Sequence, residues 1–149
     1  MERPPPERRR WQRSTSWAQL GSVELPDGSR VSSVRVGEDD DPASPVILMM
    51  EFPPNARLPV HSHDSDYAEV ILAGTQYVGR RVHRAGDVRI VKAGTAYGPL
   101  QAGAEGAKVL AIFRDSRWRG RSAQSSEDDE RRRDILERFI DRHLDGTDP

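Results

Sequence analysis

The chain has 149 residues, the size of one compact domain, and its 23 Lys and Arg against 24 Asp and Glu leave a net charge of −1, too balanced to draw it toward nucleic acid or an anionic membrane. It contains no cysteine, which excludes disulfides, thiolate metal sites, iron–sulfur clusters and cysteine nucleophiles together. No apolar run approaches the ~20 residues that span a bilayer, and the Pro- and Arg-rich start carries no apolar signal region, so a cytoplasmic protein with no nucleic-acid or membrane partner is expected.

Apolar residues make up about half of positions 43–113 and roughly a fifth of the flanks, so fold and site are expected in the middle. Three segments follow: a flexible Pro/Arg-rich arm over 1–20, a β-barrel over 21–120, and a charged linker with a helix over 121–149. Trp11 and Trp17 give the arm aromatic groups able to dock on its own domain or on a second subunit. Val23-Glu24-Leu25, the turn Pro26-Asp27-Gly28, and then Val31, Val34 and Val36 read as strand, turn and strand. Val46 to Phe52, closed by Pro53-Pro54, has the length and punctuation of a buried strand, with Met49 and Met50 as core residues. Further strands are expected at 68–73, 75–78, 81–83, 88–91 and 107–113. Short strands cut by Gly and Pro, with no helical period between them, predict an all-β barrel or sandwich. Near the C-terminus the period changes. Ile135, Leu136, Phe139, Ile140, His143 and Leu144 share one helical face, and Ser126 with Asp129 three residues on supplies a cap. That stripe is expected to pack outside the barrel, on a second subunit, or in a partner's groove.

His61-Ser62-His63 sets two imidazoles at i and i+2, which an extended backbone projects to one side. Glu69 lies on the next expected strand with Tyr67, so two imidazoles and a carboxylate could hold a divalent metal with positions left open. Other readings stand beside this one: the histidines as polar groups of a metal-free pocket or as surface residues, Glu69 as the partner of an arginine, and His83 as a replacement imidazole. Arg80, Arg81 and Arg84 read as a solvated edge.

The same residues resemble the cupin superfamily over roughly 46–113. Its first motif runs Gly, five residues, His-x-His, three or four residues, Glu, six residues, Gly. Asn55 stands in the first Gly position, and Asn tolerates a left-handed backbone better than most residues; His61, His63 and Gly74 match, while Tyr67 occupies the Glu slot and Glu69 follows two positions later. In the second motif Gly86 and Gly94 match, Lys92 replaces Pro, Tyr97 stands where the third His would be and Gln101 where the Asn would be. The resemblance implies a double-stranded β-helix (jelly-roll) barrel, a small organic substrate or ligand, and Fe, Mn, Ni or Zn held by His61, His63 and Glu69. It implies dioxygenase- or isomerase-type chemistry with Tyr97 or Tyr67 as proton donor or orienting phenol. The absent third His and the displaced Glu leave a second reading behind that one, a cupin that binds or senses a small molecule without metal or turnover. Either form is expected as a homodimer.

Overall fold

A computed structural model describes residues 12–38, 40–122 and 126–144, the last two of these by backbone alone. The expectations placed on 1–11, including Trp11, and on the side chains of His143 and Leu144 lie outside the described residues. The elements in chain order are β1 (Val23–Glu24), β2 (Arg30–Arg35), β3 (Val46–Phe52), β4 (Arg57–Leu58), β5 (Ser62–His63), β6 (Tyr67–Val78), β7 (Arg81–Arg84), β8 (Val88–Val91), β9 (Leu100–Phe113), β10 (Gly120–Arg121) and α1 (Glu127–Leu144). The fold is the expected all-β roll with one C-terminal helix. No helix among the described residues is long and apolar enough to cross a membrane.

One antiparallel sheet runs β1-β2-β3-β9-β6-β7, with β4 also on β9 and β8 also on β6; β5 and β10 form a separate two-stranded ribbon. The strands expected at 68–73 and 75–78 are one strand, β6, and the strand expected from 107 begins at Leu100. Two register shifts, at Ile71/Ala73 and Gly74/Gln76, let β6 and β9 bend together while staying paired. Gly74 is required at that bend: its φ is +73°, and a Cβ there would lie 2.1 Å from the carbonyl oxygen of Gly106. Asn55 does adopt the left-handed conformation, with φ 62°.

Alternation along β3 places Leu48, Met50 and Phe52 toward the interior cavity. Around them Val31, Val46, Val109, Ala111 and Phe113 are fully covered, each larger aliphatic or aromatic side chain stabilising the fold by roughly 2 kcal/mol. The α1 cap forms as the spacing predicts, Asp129 N–H donating to Ser126 Oγ (3.1 Å) and Ser126 N–H to the Asp129 carboxylate (3.0 Å). Ile135, Leu136, Phe139 and the fully buried Ile140 pack against Leu25, Val31 and Trp118 of the same chain. The helix stripe is therefore covered by its own barrel, which leaves it unavailable to a second subunit or a partner's groove.

Candidate functional site

His61 and His63 are fixed by backbone pairing on both sides. His61 exchanges two hydrogen bonds with Tyr97, its N–H donating to Tyr97 O at 3.1 Å and Tyr97 N–H to His61 O at 3.0 Å. His63 pairs with Gly120 across the β5–β10 ribbon, and its carbonyl accepts the N–H of Gly94 at 2.8 Å. The two rings converge as the i, i+2 spacing predicts, centroids 5.1 Å apart and edge to face. Gly120 is their floor: a Cβ there would touch His63 Cε1 at 3.5 Å and His61 Cδ2 at 3.6 Å.

Each ring is oriented by a carbonyl. His61 Nδ1–H donates to Pro59 O at 2.8 Å and His63 Nδ1–H to Trp118 O at 2.5 Å, so both rings carry their proton on Nδ1 and keep Nε2 as an acceptor. The Tyr97 hydroxyl donates to His61 Nε2 at 3.0 Å. The Tyr67 ring lies beside Tyr97, centroids 6.1 Å apart, and Arg89 donates from Nη2 to the Tyr67 oxygen at 3.1 Å. The Arg89 guanidinium, two phenols and an imidazole thus stand side by side.

Glu69 stands at the other end of Arg89. Arg89 Nε donates to Glu69 Oε2 at 2.9 Å, Arg89 Nη2 contacts the same carboxylate, and Gln76 Nε2 donates to Oε1 at 3.1 Å. Both members of the pair are covered, Arg89 13% and Glu69 3% exposed. The guanidinium also lies 4.3 Å from the Tyr97 ring centroid, a cation–π contact.

Burial sets the protonation states. It lowers His61, helped by the Arg89 charge, and lowers His63 to about 4, helped by His61. It raises Tyr67 and raises Tyr97 to about 12. For Arg89 burial acts downward, and Glu69 more than offsets it, holding the guanidinium charged. At neutral pH the site therefore offers neutral imidazoles, protonated phenols and one internally compensated ion pair. The imidazoles, the phenols and Glu69 face a cavity of about 120 Å³, walled by Leu48, Met50, Phe52, Leu58, Phe113 and Leu136 and bordered by α1.

His83 is elsewhere. It sits on β7 opposite Gln76 and lines no part of this cavity. Arg80, Arg81 and Arg84 are exposed, as expected of a solvated edge. Arg89 and Arg132 went unread in the sequence. Parity would have misplaced Arg89: in Val88-Arg89-Ile90-Val91 the apolar Val88 and Ile90 are 60% and 75% exposed and the arginine turns inward.

No family model matches the chain, and no curated protein does. Among solved structures, an RmlC-like cupin from Shewanella frigidimarina is similar over 68% of this chain and 89% of its own, at 16% identity and a TM-score of 0.57. A second RmlC-like cupin, from Ralstonia eutropha, aligns over 66% of this chain and 65% of its own, at 19% identity and a TM-score of 0.55. The fold is that of the cupins. Oxalate decarboxylase from Bacillus subtilis aligns over 75% of this chain at 23% identity and a TM-score of 0.55, and this chain spans 32% of that one.

The cupin resemblance implies a divalent metal, and the imidazoles by themselves suit one, since Nδ1–H donation to a carbonyl is the usual support of a histidine ligand. The remaining donors do not fit. His61 Nε2 is occupied by the Tyr97 hydroxyl, the Glu69 carboxylate by Arg89 and Gln76. Arg89 brings a fixed positive charge beside the carboxylate that would have to neutralise a cation. Among the described residues, no group of three His, Cys, Asp or Glu stands close enough together to hold a metal ion.

Proposed function

We propose that the protein is a small-molecule-binding cupin whose site operates without a resident metal. The observation that carries this reading is the arginine on Glu69: the carboxylate two positions past the Glu slot of the first motif is held at both oxygens, by Arg89 and Gln76. In this reading His63 Nε2 accepts a hydrogen bond from the ligand, while His61, Tyr97 and Tyr67 form an orienting cluster whose phenols stay protonated as donors. The apolar wall takes the ligand body. Tyr97 and Tyr67 are then positioning groups, and no redox or isomerase step is assigned to them.

Metal content of protein purified without chelator, beside a His61→Ala/His63→Ala variant, tests this. The expected result is metal far below one per chain in both. Near-stoichiometric metal that disappears in the variant would sink the reading and return His61 and His63 to the role of ligands.

We also propose a homodimer, on the strength of one surface. Cross-strand register lines up Ile90, Ala68, Ile112, Ile47 and Val34 over β8, β6, β9, β3 and β2. Beside this row Leu72 is 42% exposed, and within it Ile90 and Ile112 are 75% and 38% exposed. An apolar sheet face of this kind suits sheet-on-sheet packing against a second copy.

A further inference from the structure

Resting on the small-molecule reading above, we propose that the ligand of this cavity is a small carboxylate and that Arg132, on α1, is the group that recognises it. Asp129, Arg132, Arg133, Leu136 and Glu137 recur at the three- and four-residue spacing of one helical face and together line the cavity. Arg132 is 9% exposed. Its Nε–H donates to Asp27 Oδ2 at 2.8 Å. Asp27 is itself held in the β1–β2 turn, its Oδ1 accepting the N–H of Ser29 at 2.9 Å. Burial acts against ionisation of Asp27, and the Ser29 bond and the Arg132 charge more than offset it, lowering its pKa.

An ion pair that fastens α1 to the turn explains Nε and nothing more. Arg132 Nη2 is buried with no hydrogen-bond partner among the described residues. A buried guanidinium edge without an acceptor carries a standing penalty that a docking carboxylate relieves, and the planar fork matches a carboxylate better than any neutral group.

The carboxylates already lining the cavity are otherwise engaged. Glu69 is held by Arg89 and Gln76, Asp129 by the backbone and hydroxyl of Ser126, and Glu137 faces Arg119 at 4.0 Å. Arg132 and the imidazoles share one space: the Arg132 charge acts on His61, and its guanidinium carbon lies 6.0 Å from the Phe52 ring centroid on the apolar wall. A ligand with its carboxylate at α1 would rest its body on that wall and reach His63 Nε2 with its far end. The volume, about 120 Å³, limits it to a small acid.

Calorimetric titration and thermal shift of the full chain with glycolate, 3-hydroxypropanoate and 4-hydroxybenzoate, each carrying a hydroxyl to donate to His63 Nε2 and each beside its primary amide, test this in wild type, Arg132→Gln and Asp27→Asn. Wild type is expected to prefer at least one acid over its amide by on the order of ten-fold. Arg132→Gln loses that preference with amide affinity unchanged. Asp27→Asn breaks the same ion pair yet keeps the guanidinium, so it loses stability and retains the preference. Should Arg132→Gln not fold, Arg132→Lys keeps the charge without the fork, and a fall in acid affinity alone is expected. Acids and amides binding equally, or an Arg132 variant that binds acids as wild type does, overturns the role of Arg132 and leaves the small-molecule reading intact. No binding by any acid or amide overturns both.

Discussion

His63 is the residue whose surroundings most constrain the protein's response to acid. It has one proton, given to the carbonyl of Trp118, and its second nitrogen lies in a cavity where a positive charge is opposed by burial and by the Arg89 guanidinium. Its pKa of about 4 in the fold against 6.5 outside it means that the unfolded chain binds the extra proton first. The stabilisation is complete above about pH 6.5 and is lost as pH falls toward 4, amounting to about 3 kcal/mol for this group. Denaturant titrations from pH 7 to 4 are expected to show wild type losing stability faster than His63→Asn. Equal slopes would show that His63 is not held neutral in the fold. At the same scale, Asn55 was legible because a left-handed backbone is a local property. The Glu69–Arg89 pair was legible only as one of several options for Glu69, since its members are 20 residues apart and meet through register.

Among the elements, the paired strands β6 and β9 matter most for the site, because they carry Tyr67 and Glu69 on one side of a bend and Gln76 on the other. The bend depends on two backbones passing without a side chain between them. Gly74→Ala would push a methyl into the Gly106 carbonyl at a positive φ, and a loss of about 2 kcal/mol or more is expected by chemical denaturation. A substitution without effect would mean that the bend relaxes freely. The helix α1 was visible in its cap and its period, and Ile135, Leu136, Phe139 and Ile140 were assigned to one face correctly. Arg132, Arg133 and Glu137 went unread in the sequence, and together with Asp129, read there as the cap partner, they line the cavity. Strand β8 was legible as a strand over 88–91, but its faces run against the usual pattern, because an arginine between two apolar residues is normally the one that faces water.

For the whole molecule, that inversion has a second consequence: it turns Val88 and Ile90 outward onto the apolar sheet face. If a second copy covers this face, sedimentation of wild type gives a dimer and Ile90→Lys a folded monomer; a monomeric wild type at high micromolar concentration would reject the interface. The barrel class, the convergence of His61 and His63, and the helix with its cap were determined by the sequence alone, because each follows from the period of two or 3.6 residues and from turn chemistry within a short window. What occupies those histidines was decided only by the tertiary structure. The arginine on Glu69 comes from 20 positions away and the link from Arg132 to Asp27 spans 105. Strand register and helix docking, which belong to the packed chain as a whole, set the two histidines of the first motif beside two phenols, the Arg89–Glu69 pair and the buried guanidinium of Arg132.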